Sequence, residues 1–152
     1  MPRPYPLRGP VARSLEVVGD RWTLLLVREL LLGPARYAQL MRALAGIPSN
    51  LLAERLRLLE EERIAERTPE RAYRLTGKGR DLAPVLAALA AWGQRHLAEP
   101  PSARAVHAGC GGEVGLRAAC ARCGRLVSAG SLELRAVHAG AERTGVPRTT
   151  RI

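Results

Sequence analysis

The sequence contains no phenylalanine, and aromatic residues make up only 3% of it. Any hydrophobic core must therefore be assembled from Leu, Val and Ala. It contains one lysine, Lys78, yet carries a net charge of +10. Its positive charge is almost wholly arginine, whose planar fork matches phosphates and guanine edges and so points towards nucleic acid. A GC-rich coding bias accounts for arginine in place of lysine, but not for the surplus of charge. No apolar run approaches the ~20 residues needed to cross a bilayer. The greasiest stretch, GDRWTLLLVRELLLGP at 19–34, has Arg28 and Glu29 in its middle. The opening MPRPYPLRGP lacks the apolar segment of a signal peptide. A cytoplasmic chain with no membrane partner is expected. Aspartate is confined to Asp20 and Asp81, and no phosphate-cradling glycine loop or nucleophile elbow is present, so an enzyme is not expected. The three cysteines all lie between Cys110 and Cys123, which disfavours a disulfide framework and favours a local purpose such as metal binding.

What is present is an ordinary globular composition, 47% hydrophobic and 25% charged, enough for one domain and a small appendage. A short helix is predicted at 10–18, with Val11, Leu15 and Val18 on one face and Gly19 ending it. Asp20 suits the N-cap of a second helix, because its carboxylate accepts from first-turn amides. That helix runs to about Leu32 and stops at Gly33-Pro34. Apolar nearly all round, it should be buried scaffold, with Arg28 and Glu29 on its one solvated strip. A third helix in RYAQLMRALAG turns Leu40 and Leu44 inward, and Ala38 stands where a capping Ser or Asp would help. After the break at Gly46-Ile47-Pro48, Ser49 caps a fourth helix reaching about Glu62. Leu52, Leu56 and Leu59 share one face of it, and Asn50, Glu54, Arg57 and Glu61 lie opposite. Segments 64–68 and 71–75 read as two strands around Pro69-Glu70. Thr76 caps a last helix whose apolar stripe is Leu82, Val85, Leu86, Leu89 and Trp92.

Helix, helix, helix-turn-helix, hairpin, helix is the order of a winged helix-turn-helix domain, with 37–44 and 49–62 as the helix-turn-helix. The stretch from VARSLEVVGDRWTLLLVRELLLGP through YRLTGKGRDLAPVLAALAAWG, about residues 10–97, resembles the HxlR-type transcriptional regulators, small bacterial winged-helix proteins related in fold to the MarR group. The resemblance implies a homodimer on operator DNA. Helix 49–62 would enter the major groove, the hairpin would be the wing, and the terminal helices would pair. Many relatives carry a Cys just before the first helix, sometimes as a redox sensor. Gly9-Pro10 stand there in this chain, which excludes thiol sensing at that place. The wing is also shorter than in many relatives.

On this reading Ser49 and Asn50 meet a phosphate at the helix N-terminus. Asn50 is alternatively suited to adenine, Arg57 to guanine, Ala53 to a thymine methyl and Glu54 to cytosine. Arg55, beside the core stripe, has a structural or phosphate role. Arg67, Arg71, Arg74 and Lys78 flank the hairpin and suit the DNA backbone. Their bland alternative is solvated surface charge. Val11, Leu15, Leu86, Leu89 and Trp92 are the expected dimer contacts, and Trp92's stripe has intradomain core as its alternative. Two recognition helices about 34–36 Å apart would read a near-palindrome. No polar constellation identifies a small-molecule effector, although a pocket between wing and terminal helices would have room for one.

Beyond residue 99 the chain changes character. His107-Ala-Gly-Cys110-Gly and Cys120-Ala-Arg-Cys123-Gly have the same form, a ligand pair at i and i+3 followed by glycine. Two such turns supply four ligands of the kinds that suit structural zinc, so the tail resembles a zinc ribbon with a small hairpin expected over 113–119. The hexapeptide RAVHAG occurs at 104–109 and 135–140, which makes His138 a rival to His107. The expected fold is mainly α (α+β). Its divisions are an N-terminal arm at 1–9, a winged helix-turn-helix domain with a two-stranded wing at 10–99, a zinc-ribbon-like tail at 100–140, and a disordered end at 141–152. The competing function is an interaction module that binds RNA, non-specific DNA or a protein without a defined operator.

Overall fold

The computed structural model describes residue 6 and residues 9–97 and 103–135. Most of the expected arm, His138 with most of the second hexapeptide, and the 141–152 segment lie outside the described residues. The chain divides into two compact units, 1–116 and 117–152, so the division falls inside the tail.

In the first unit, helices α1 (Pro10–Val18) and α2 (Thr23–Leu31) open the fold. Asp20 caps the approach to α2 from one turn ahead, not from its first turn. One carboxylate oxygen accepts from the Trp22 and Thr23 amides at 2.8 and 3.2 Å, and the other accepts from the Thr23 hydroxyl. This satisfies Thr23, a wholly buried polar side chain. Along α2, Leu26, Val27 and Leu30 are buried. The expectation of a single charged solvated strip fails: Arg28 and Glu29 pair at 2.6 Å and are half-buried, while Leu32 just beyond the helix is 72% exposed.

Strand β1 (Ala35–Arg36) follows directly and leads into α3 (Tyr37–Ala43). The cap of α3 is not at Ala38. The Arg36 amide donates to the Gln39 side chain at 2.7 Å, closing the first turn from within. Helix α4 (Ser49–Glu61) begins after Pro48, with Ser49 already helical and no side chain capping its amides, so Ser49 is not the cap either. Strands β2 (Ala65–Arg67) and β3 (Ala72–Leu75) form the wing hairpin. The sheet has a third member: β1 pairs antiparallel with β3, giving the order β1-β3-β2. Two residues are too few to display a strand's alternation, which is why the pattern read the wing as two-stranded.

The expected single terminal helix is two. Thr76 caps α5 (Gly77–Arg80), accepting from the Gly79 amide at 3.2 Å. Then α6 (Ala83–His96) begins afresh. Pro84 has no N–H to return to the carbonyl of Arg80, and its ring crowds that carbonyl, so the helix restarts there. Leu26, Leu40, Leu52, Leu56 and Leu59 are buried to 1% or less and form the centre of the core with Val27, Ile64, Tyr73 and Leu75. Each such leucine contributes about 1.5–3 kcal/mol relative to exposure. Among the described residues no helix is long and apolar enough to cross a membrane.

The tail is built differently. In the first unit Val106 bridges antiparallel to Glu113 across the first His/Cys turn. In the second, β4 (Ala118–Ala119) pairs with β5 (Leu126–Val127) across the second Cys/Cys turn, and a 3-10 turn at Ala129–Ser131 follows. The hairpin expected over 113–119 is therefore absent. Its two ends pair outward, one across each turn, because the turns themselves reverse the chain.

Candidate nucleic-acid interface and the tail knuckles

Helix α4 is seated by one face and open on the other. Leu52, Leu56 and Leu59 are buried, while Ser49, Asn50, Ala53, Glu54 and Arg57 are exposed. Two side chains hold it in place. The Tyr37 hydroxyl donates to the Ser49 carbonyl at 2.7 Å, tying the start of α3 to the start of α4. Arg55, 13% exposed, places its Nε 3.2 Å from Asp20, an ion pair that falls short of hydrogen-bond alignment. Asp20 thus serves the approach to α2 and the flank of α4 together. The Tyr37 tether carries no charge pattern or spacing that sequence inspection could have found.

The cations expected to meet DNA are mostly paired with glutamates. Arg57 meets Glu61 at 2.5 Å, and Arg74 meets Glu66 at 2.7 Å. Arg67 lies 3.4 Å from Glu60, donates to the Tyr73 hydroxyl at 2.6 Å and stacks over that ring at 5.0 Å. Lys78 donates to the Glu62 carbonyl at 2.5 Å and sits 3.4 Å from its carboxylate. These pairs are largely exposed, where each is worth about 0–1 kcal/mol, so a phosphate can replace the glutamate at little cost. Arg71 is different. It stands exposed at the tip of the wing with φ 58, and among the described residues no carboxylate is paired with it. Beside it, hydrogen bonds from the Thr68 hydroxyl and from Glu70's own amide hold the Glu70 carboxyl below the usual range.

The apolar residues expected to pair two chains lie on two helices. Val11 and Leu15 on α1 are 74% and 44% exposed, and Val85, Leu89 and Trp92 on α6 are each about half exposed. Leu86 instead packs against the core with Leu82. A cleft of about 280 Å³ lies between α1, the end of α4 and the start of α6, lined by Val17, Val18, Ile64 and Leu82 with Arg13, Glu62 and Lys78 at its edge. Those edge charges engage carboxylates or one another.

In the first tail turn, the Gly111 amide donates to the His107 carbonyl at 2.8 Å and the His107 amide to the Gly112 carbonyl at 2.8 Å. In the second, the Gly124 amide donates to the Cys120 carbonyl at 2.8 Å and the Cys120 amide to the Arg125 carbonyl at 2.9 Å. Gly111 and Gly124 have φ of 70 and 68, the left-handed conformation that glycine adopts without a Cβ penalty. His107 Nδ1 lies 3.2 Å from Cys110 Sγ. Hydrogen bonds to the Cys120 sulfur from the Cys123 amide, the Arg122 amide and the Cys123 side chain hold that thiol below the usual cysteine range. Among the described residues no three His, Cys, Asp or Glu side chains gather as a metal site.

Residues 17–100, more than half of the chain, match the HxlR-like helix-turn-helix family. An uncharacterized HTH-type transcriptional regulator of Mycobacterium tuberculosis (strain ATCC 25618 / H37Rv) is 41% identical over 127 residues, 78% of this chain and 80% of that protein. The HTH-type transcriptional regulator YodB of Bacillus subtilis (strain 168) is 35% identical over 85 residues, 52% of this chain and 76% of that protein. Among solved structures, that of PA1607, a proposed transcription factor, matches with a TM-score of 0.72 at 33% identity, covering 86% of this chain and 96% of that one. Likenesses to the Mycobacterium protein and PA1607 are long enough to run past residue 100 into the tail. An open helix on a buried seat, a wing beside it and these likenesses lead to one conclusion: the chain belongs to the HxlR-like helix-turn-helix family and is a DNA-binding transcriptional regulator.

Proposed function

We propose that the protein acts in the cytoplasm as a homodimer that reads a near-palindromic operator, without catalytic activity, by placing α4 in the major groove. The observation that carries this reading is the two-sided character of α4: leucines buried on one face, and Ser49, Asn50, Ala53, Glu54 and Arg57 exposed on the other. Its uncapped first turn suits a phosphate, since the free amides and the helix dipole both favour an anion there. Asn50 and Arg57 offer the two-pronged geometry that adenine and guanine present in the major groove. Arg67, Arg71, Arg74 and Lys78 contact the backbone and set register, not sequence.

The dimer reading rests on exposed apolar side chains at helical spacing, Val11 and Leu15 on α1 and Val85, Leu89 and Trp92 on α6. An apolar surface of this kind marks an interaction site on a folded domain. Anisotropy of the purified full chain on a duplex from around its own gene, against a scrambled duplex across ionic strength, tests the function. A strong preference with two chains per site is expected. Equal binding to both duplexes favours the non-specific interaction module, and a monomer by light scattering refutes the dimer.

A further inference from the structure

The tail holds two thiols whose placement DNA reading does not explain. Cys120 follows β4 directly, and Cys123 lies in the turn that returns the chain to β5. Two backbone bonds close that turn: the Gly124 amide donates to the Cys120 carbonyl at 2.8 Å, and the Cys120 amide to the Arg125 carbonyl at 2.9 Å. Gly124, with φ 68, supplies the left-handed step that the reversal needs. Inside this ring the Cys120 sulfur accepts from the Arg122 and Cys123 amides and from the Cys123 thiol. The two sulfurs are therefore in direct contact within one turn. The whole arrangement lies in the second unit and depends on nothing in the first.

A turn of this kind holds residues i and i+3 within about 7 Å at their Cα atoms, the span a disulfide requires. Access is open as well. Cys123 is exposed and Cys120 only partly covered, and no described residue over 103–135 is buried, so no core shields the pair. Among the described residues no third His, Cys, Asp or Glu side chain gathers with the two sulfurs, which leaves each as the other's nearest reactive partner. The first tail turn is an internal control. It has the same closing bonds but one sulfur, and Cys110 there meets His107 Nδ1 at 3.2 Å. An oxidised Cys110 has no second thiol in its own turn.

We propose that Cys120 and Cys123 form a reversible thiol oxidation site, closed to an internal disulfide by low-molecular-weight disulfides. Exposed Cys123 reacts first. Its thiolate attacks one sulfur of the small disulfide, breaks that S–S bond and releases one small thiolate. The Cys120 thiolate then attacks the Cys123 sulfur, forms the internal S–S bond and displaces the second. The two protons given up by the cysteines go to the released thiolates. The cysteine pair loses two electrons and the small disulfide gains them. An exposed disulfide is of the labile kind, so a reducing thiol pool reopens it. The tail thereby carries a covalent record of the surrounding thiol–disulfide balance.

The test incubates the full-length protein, as purified, with oxidised glutathione, then blocks remaining thiols by alkylation in denaturant and digests with trypsin. Trypsin cuts after Arg122, between the cysteines, so the disulfide appears as peptide 118–122 joined to peptide 123–125. That joined pair is the expected main product, and dithiothreitol should separate it. Cys120→Ser should leave glutathione attached at Cys123, because the sulfur that displaces it is gone. Cys110→Ser should form the joined pair as wild type does, which keeps a variant with an intact second turn in the comparison. Gly124→Ala, which strains the turn, should close several-fold more slowly. Thiols that stay reduced under the oxidant, whether unreactive or held by a metal, overturn the proposal. So do a bridge that includes Cys110, a bridge between two chains, or glutathione left on both cysteines. Closure of Gly124→Ala at the wild-type rate overturns the role given to the turn.

Discussion

The winged-helix segment and the tail solve the same problem by opposite means. From α1 to α6 the chain buries a set of leucines: Leu26, Leu40, Leu52, Leu56 and Leu59 are sealed in one cluster with Val27, Ile64, Tyr73 and Leu75. From 103 to 135 no described residue is buried, and order resides in backbone hydrogen bonds closed around two glycine-terminated turns. The first region is therefore tolerant of its polar surface and intolerant of lost methyl groups. For the tail the order is reversed.

The sharpest test of that contrast is a matched truncation. Leu56→Ala, in the wholly buried seat of α4, should cost about 2–5 kcal/mol in denaturant unfolding, because it removes transfer energy and leaves a cavity. Leu132→Ala in the tail should stay within about 0.5 kcal/mol. Equal effects would mean that the tail packs on something in solution. Next in size is Asp20→Ala, which removes the acceptor of two backbone amides and the partner of the half-buried Arg55. About 1–3 kcal/mol of stability should be lost, read as a lower thermal midpoint, with Asp20→Asn milder because it keeps an acceptor. Arg57→Ala should leave stability within about 0.5 kcal/mol, since its pair with Glu61 is exposed. It should cost about 1–3 kcal/mol of discrimination at one base pair, and uniform weakening on all duplexes would make Arg57 a phosphate contact. The smallest effect belongs to Arg71→Gly. Relief of a left-handed arginine, worth about 1–2 kcal/mol, is partly offset by glycine's backbone entropy of about 0.5–1 kcal/mol. A slightly raised midpoint with weaker duplex binding is expected, and unchanged binding would remove the wing tip from the interface.

Much of this architecture was legible beforehand, and its failures have local causes. Helical periodicity found α1 with its boundaries and the buried face of α4, because apolar residues three and four apart leave little alternative. Caps were read less well. Asp20 works from outside the first turn, Ser49 lies inside the helix, and α3 is closed by Gln39, which a search for short polar caps passes over. The third strand was too brief to show a period. Pro84 stood in plain view inside the apolar stripe, and the stripe's continuity hid the restart it imposes. At the interface, residue types gave the exposed face of α4, but not the glutamates paired with Arg67, Arg74 and Lys78. Those pairings join different elements, a register that a one-dimensional pattern does not carry, whereas Arg57 and Glu61 are an i, i+4 pair on one helix face. Spacing alone found both tail turns, and their matching backbone bonds appear only in three dimensions.

Those paired glutamates have a consequence for how binding responds to its surroundings. A DNA-binding face of bare cations displaces one small ion from the duplex for nearly every phosphate it meets, and its affinity falls steeply as salt rises. Here four of the cations bring their own anions along, fixed in the chain and unable to diffuse away. The charge presented to the duplex is smaller than a tally of arginines suggests, and fewer condensed ions leave when it docks. Affinity for DNA should therefore vary less with potassium concentration than the 24 basic residues alone would imply. What the protein gives up in long-range attraction it regains as constancy of occupancy when the cell's osmotic state changes.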